Sequence, residues 1–282
     1  MSLREVEMSA TETVIAQESV AVEEISAGIA AWLKQIFDSS GARTFVLGLS
    51  GGIDSAVVSA LCTRAVGADK VLGVIMPSSS NPDDAVSAEK VASAFGFRTA
   101  RVDLTGIADS IYTAVPTESA LGVGDGDEGI DRRRQLATAN VRPRLRMTTL
   151  YYVANLTGGI VAGTGNKSEA TIGYYTKYGD GGVDVLPLID LYKFEVRAIA
   201  RHLGVPESVI TRPPSAGLWQ GQTNEIEIGM SYETLDTSLI AIAAGRESDV
   251  SPEILARLKP LIAASWHKRN PVPTFIKSEH GL

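Results

Sequence analysis

The chain has 282 residues, 44% of them hydrophobic, enough to bury a large core in one or two domains. Its formal charge of −7, from 26 basic and 33 acidic residues, argues against a general nucleic-acid binder but leaves room for a local phosphate site. Cys62 is the single cysteine, so an internal disulfide is excluded and a reducing, cytoplasmic compartment is expected; with no apolar run of about 18 residues and no basic-then-apolar leader, neither a membrane span nor a secretory signal is expected.

In chain order, Met1–Glu18 is polar and aperiodic. Residues 1–20 are therefore expected to be a disordered N-terminal segment and 21–282 a single domain. From Ala21, Ile25, Ile29, Trp32, Leu33 and Ile36 recur at helical spacing, and Ser39-Ser40-Gly41 ends that helix. Strands and helices then alternate. Strands are expected at Thr44–Leu49, Val71–Met76, Phe97–Val102 and Gly159–Ala162. Helices are expected at Asp54–Val66, Asp83–Phe95, Met147–Asn155 and Lys193–Leu203, with two more near the C-terminus. This alternation predicts an α/β fold, a doubly wound parallel sheet with helices on both faces. Ligands of such sheets sit beyond the carboxyl ends of the strands. Glu118–Asp131 and Ile172–Asp190 read as long loops, and long loops inside a compact domain are more often functional than not.

The first strand ends in Ser50-Gly51-Gly52-Ile53-Asp54-Ser55. Two glycines let backbone N–H groups approach a ligand, the following helix start favours an anion, and Ser50 and Ser55 add hydroxyls. The lysine of the GxxxxGK[ST] pattern is absent. Asp54 stands at the helix start instead, and a carboxylate facing phosphates makes sense mainly with a divalent cation between them. The plain alternative is a tight turn with Asp54 as a capping residue. A second Gly-rich turn, GTGNKSE at 163–169, follows another apolar stretch, and its Glu169 offers a second carboxylate to a magnesium ion.

SGGIDS resembles the pyrophosphate loop of the ATP pyrophosphatases, which cleave ATP between its α- and β-phosphates and adopt the adenine nucleotide alpha hydrolase-like, Rossmann-like fold. The ordered series SGGIDS, NVRPRLRM, GTGNKSE, TKYGDGGVD, PSAGLWQGQT and HKR is similar to NAD synthetases, over roughly Ile25 to Pro271. That resemblance implies ATP-dependent amidation of deamido-NAD (nicotinic acid adenine dinucleotide) by ammonia, giving NAD, AMP and pyrophosphate through an acyl-adenylate. It implies that Gly48, Leu49, Ser50, Gly51, Gly52, Ile53, Asp54 and Ser55 hold the ATP phosphates, with Thr164, Lys193 and Ser215 also on ATP. Asp54 and Glu169 would bind Mg2+, and Ser50, Asp54 and Lys193 would carry the chemistry. Arg144, Lys177, Asp184, His267 and Lys268 would contact deamido-NAD across the interface of a homodimer. Two positions depart from the family pattern. Asn224 replaces the usual aspartate of GQTDE, and Pro143 stands where alanine is common. Because proline is tolerated in a first turn, the helix around it is expected to begin near Asn140.

Elementary chemistry supports part of this. Lys193 opens a helix whose apolar face is Val196, Ile199, Ala200 and Leu203; a cation there opposes the helix dipole, so an anionic ligand explains its position better than helix stability does. Arg142 and Arg146 read as a solvated face, and His267-Lys268-Arg269 as a surface charge run. Cys62, aligned with Val58, Leu61 and Ala65, is a core residue. A glutaminase needs a nucleophilic cysteine, so free ammonia is the expected nitrogen donor. Trp32, Trp219 and Trp266 form no stacking platform for nucleic acid. Other readings of the loop are a GMP synthetase-like amidotransferase subunit, a tRNA-modifying enzyme, which the −7 charge disfavours, or a non-catalytic nucleotide-binding module needing no metal carboxylates.

Overall fold

The computed structural model describes residues 10–116, 118–123, 129–215 and 223–277. In chain order its helices and strands are α1 Ala10–Ser40, β1 Thr44–Gly48, α2 Ile53–Val66, β2 Val71–Ile75, α3 Pro82–Phe95, β3 Arg98–Arg101, α4 Thr105–Ala114 and α5 Ile130–Thr157. There follow β4 Gly159–Val161, α6 Lys167–Ile172, α7 Lys193–His202, α8 Glu207–Ile210, α9 Asn224–Ile228, α10 Tyr232–Ala243, α11 Pro252–Ala264 and α12 Trp266–Arg269.

The four strands are parallel in the order β3-β2-β1-β4. Alternate side chains of β1 enter opposite cores, as a strand buried on both faces requires. Phe45, Leu47 and Leu49 pack with α1, α2 and α7, whereas Val46 meets Leu150 and Ala154 of α5. Phe45, Val46 and Leu47 are wholly buried, each contributing about 1.5–3 kcal/mol by leaving water. Cys62 lies in the first of these cores, as its spacing predicts. A third apolar cluster joins Ile172, Ile228, Tyr232, Leu235, Leu239 and Leu258, and it seats α10 beside α6.

The chain turns one way from β1 through α2 to β2 and the other way through α5 to β4. The strand order therefore reverses between β1 and β4, and a crevice opens beyond their carboxyl ends. Both Gly-rich turns of the sequence lie at its lip. Residues 173–190 hold no regular element, but Val185 adds a parallel bridge to Ala162 and so extends the β4 edge.

Helix α1 begins at Ala10, and residues 1–9 lie outside the described residues. Two expectations need correction. Helix α5 begins at Ile130 and not near Asn140, with Pro143 in its interior. A mid-helix proline costs about 3 kcal/mol. Here its ring is buried, and it packs so closely on Gly179 that a side chain there would come within 2.9 Å of it. Arg146 is not solvated. Its Nε donates to Met76 O at 3.2 Å and its Nη2 to Ser80 Oγ at 3.2 Å, tying α5 to the end of β2. The long Glu118–Asp131 loop falls partly on residues 124–128, outside the described set.

Candidate active site

The turn after β1 is shaped by two hydroxyls and one glycine. Ser55 Oγ donates to Gly52 O at 2.9 Å and lies 3.1 Å from Ser50 Oγ, which accepts from Gly52 N–H at 3.2 Å. Gly51 has φ +79°, and a Cβ there would sit 2.3 Å from Asp84 O. Any other residue is barred both by conformation and by space. Gly52 then caps α2 without a side chain. The first N–H groups of that helix are left for another acceptor, at the positive end of its dipole.

Asp54 and Glu169 come from the first turns of α2 and α6 and meet on one cation. Lys193 Nζ donates to Asp54 Oδ2 at 2.5 Å and to Glu169 Oε1 at 3.2 Å. The lysine side chain is 1% exposed, against 20% and 15% for the two carboxylates. Burial alone would lower the lysine, but Asp54 and Glu169 outweigh it and hold the ammonium above its ordinary range. Burial raises Glu169, with Lys193 opposing the rise and Asp54 adding to it. Asn166 joins both halves of the site. Its Nδ2 donates to Asp54 Oδ1 at 3.0 Å, and its Oδ1 caps α6 by accepting from Glu169 N–H at 3.0 Å.

Tyr232 closes the other side. Its hydroxyl donates to Glu169 Oε1 at 2.5 Å, and its ring lies 4.8 Å from Lys193 Nζ. Asn224 Nδ2 donates to that hydroxyl at 2.8 Å, which leaves the phenolic proton directed at Glu169. Burial, then Glu169, pushes the phenol far above its usual range, so it stays protonated. Behind α7, Ser168 Oγ donates to Asp236 and accepts from Lys193 N–H at 2.9 Å.

Of the positions named from sequence, Ser50, Gly51, Gly52, Ile53, Asp54 and Ser55 form the turn, with Gly48 and Leu49 leading into it. Thr164 lies half-buried in the second turn, and Ser215 is exposed just before residues 216–222, which are outside the described set. A second group gathers around the Ile172–Asp190 loop. Lys177 Nζ donates to His267 O at 2.7 Å, and Arg144 Nη2 to Lys177 O at 3.4 Å. Asp184 holds the β4 edge, accepting from Val161 N–H and Tyr151 OH at 2.8 Å each. Lys268 is half-buried rather than part of a surface run, its Nζ donating to Gly173 O and Tyr175 O at 2.6 and 2.5 Å. Arg269 Nη1 reaches Thr171 O at 2.7 Å. Lys268 and Arg269 thus close the carboxyl end of α6, where cations suit the dipole. Asn166, Ser168, Tyr232 and Asp236 were not singled out from sequence. Only Asn166 and Ser168, inside GTGNKSE, carried any local signal.

The described residues contain no cluster of three or more His, Cys, Asp or Glu side chains suited to a metal, and no helix long and apolar enough to cross a membrane. Two carboxylates are nonetheless the usual protein share of a magnesium site completed by phosphate oxygens and water.

The family model described as NAD synthase matches residues 25–272. The chain is similar to the NH(3)-dependent NAD(+) synthetase of Methanococcoides burtonii, 42% identical over 82% of this chain and 87% of the relative. It is also similar to that of Archaeoglobus fulgidus, 43% identical over 89% and 96%. Among solved structures, an NMN synthetase from Francisella tularensis superposes with TM-score 0.78 at 32% identity, covering 90% of this chain and 98% of that one. An NH3-dependent NAD synthetase from Campylobacter jejuni superposes with TM-score 0.73 at 26% identity over 91% and 99%. On the match across most of its length, and with the crevice and its two turns in the positions described, the chain belongs to the NAD synthase family.

Proposed function

We propose that this chain amidates deamido-NAD with ammonia at the expense of ATP, giving NAD, AMP and pyrophosphate. One observation carries the assignment of the site: Asp54 and Glu169, from the first turns of α2 and α6, converge on the buried Lys193 at the point where the strand order reverses.

In this reading the nicotinate carboxylate oxygen attacks the α-phosphorus and the bond to the pyrophosphate oxygen breaks. Ammonia then attacks the acyl carbon of the adenylate, AMP leaves with the original carboxylate oxygen, and one nitrogen proton passes to solvent. Adenylation supplies the leaving group that a free carboxylate lacks. The residues position and neutralise. N–H groups of the 51–55 turn and the Ser50 hydroxyl receive the departing pyrophosphate, and the buried Lys193 adds a fixed positive charge. Asp54 and Glu169 would hold Mg2+, which when bound neutralises phosphate charge. Thr164 and Ser215 extend the nucleotide contacts. Arg144, Lys177, Asp184, His267 and Lys268 form the deamido-NAD side, in a homodimer. Residues 21–282 act as one domain, in the cytoplasm, which suits the buried lone thiol of Cys62.

The test is an assay for NAD with ATP, deamido-NAD and ammonium, with and without magnesium, and with glutamine replacing ammonium. Product that depends on ammonium and magnesium supports the reading; equal turnover with glutamine contradicts the nitrogen source. The Francisella neighbour makes the acid form of the mononucleotide the proper comparison substrate. Sedimentation showing only monomer would remove the homodimer.

A further inference from the structure

We propose that Asp236 is a positioning residue for Lys193, acting through Ser168 and the first turn of α7. The proposal rests on the role given to Lys193 above. Tyr232 and Asp236 are four apart on α10 and so share one face of it. Tyr232 reaches Glu169, while Asp236 reaches Ser168 and the first turn of α7, the helix that carries Lys193. Its Oδ1 accepts from Ser168 Oγ, and its Oδ2 accepts from Phe194 N–H at 3.1 Å. Ser168 Oγ in turn accepts from Lys193 N–H. The first two N–H groups of α7 have no partners within the helix, and one carboxylate satisfies both, one directly and one through a hydroxyl.

Asp236, Ser168 and Lys193 are 3%, 0% and 0% exposed, so water does not substitute for any of these bonds. The arrangement fixes the backbone from which the long lysine side chain starts, and Ser168 directly precedes Glu169. A displacement of about 1 Å in such a group costs roughly 100-fold in rate. Capping alone does not explain a charged group here. Serine or asparagine caps a helix as well as aspartate does, and burial works against the Asp236 charge, pushing its carboxyl above the ordinary range despite Ser168 and Phe194 N–H. Lys193 is among the charges that oppose this rise, so the carboxylate gains from the cation as well as from its two hydrogen bonds.

The test uses the full chain with Asp236→Asn and Ser168→Ala. The first keeps shape and volume while removing the charge; the second removes a single oxygen and stands in should the first not fold. Two quantities are read: kcat for NAD formation, and the slowly exchanging ammonium resonance of Lys193 in 15N-lysine-labelled protein, assigned by its loss in Lys193→Gln. A fall in kcat of about 10- to 100-fold, the usual effect of removing a partner behind a ligand, together with a shifted or lost ammonium resonance, supports the proposal. An unchanged kcat overturns it, as does a lower kcat with the resonance unmoved, which marks a merely structural role. Full kcat in Lys193→Gln would instead sink the underlying assignment of Lys193 and this proposal with it; an inactive Lys193→Gln confines any failure to Asp236.

Discussion

Replacing Lys193 with methionine removes the one cation that Asp54 and Glu169 share among the described residues. The side chain is 1% exposed and its partners 20% and 15%, so little water reaches the two carboxylates left facing each other. Breaking a buried pair from one side costs about 3–5 kcal/mol. The partial exposure of the carboxylates points to the lower end, near 3 kcal/mol, or a fall in Tm of roughly 6–12 °C at this chain length. The sign with pH is fixed. Glu169 is already raised by burial, and Lys193 is the largest influence opposing that rise. Without the lysine, the folded state binds its proton more tightly still relative to the unfolded chain, so the penalty is present at neutral pH and fades as pH falls through the raised value. Lys193→Met should therefore regain part of its lost Tm on acidification, and adding Glu169→Gln should regain part of it at neutral pH. Loss of a fixed donor to the transition state lowers kcat about 10²- to 10³-fold. Lys193→Arg keeps the charge but not the compact ammonium, and should not restore kcat. Differential scanning calorimetry from pH 5 to 8 and steady-state kinetics measure all of this. A Lys193→Met protein with unchanged Tm and kcat refutes the reasoning.

Gly51→Ala should stop turnover and cost more than about 1 kcal/mol, because φ +79° and the 2.3 Å approach to Asp84 O both resist a side chain; wild-type kinetics in this variant would contradict the shape assigned to the turn. Tyr232→Phe should leave Glu169 without its 2.5 Å donor and Asn224 Nδ2 without an acceptor, costing about 1–3 kcal/mol in unfolding experiments; no change would show that water replaces the phenol. Cys62 is wholly buried and burial pushes its thiol up, so it should resist alkylating reagents until the chain unfolds, and rapid labelling of native protein would speak against its place in the core. With 18O in the deamido-NAD carboxylate, one label should appear in AMP; label in pyrophosphate would exclude the acyl-adenylate route.

Much of this arrangement was legible in the sequence because its signals are local. The run Phe45–Leu49, the double glycine and the helix pattern after Asp54 sit within a few residues, and β1, the turn and α2 form where they predict. Lys193 was legible as a misfit, a cation at a helix start, and the structure supplies its anions. What failed to show depends on distant contacts. Proline propensity placed the start of α5 near Asn140, whereas packing of Pro143 against Gly179 lets the helix run from Ile130. The basic triplet 267–269 looked like solvated charge because the carbonyls that Lys268 and Arg269 close, at Thr171, Gly173 and Tyr175, lie more than 90 residues earlier. Tyr232 and Asp236 carry no local signal. Their partners Glu169 and Ser168 are 63 and 68 residues away, and no spacing rule spans that distance.

The most direct test of the central claim is a crystal structure with a non-hydrolysable ATP analogue and magnesium. The account predicts the terminal phosphates within hydrogen-bonding distance of the N–H groups of the 51–55 turn, with Asp54 and Glu169 on the metal and Lys193 beside the bridging oxygen. Triphosphate seated anywhere else, with the turn empty, would contradict it.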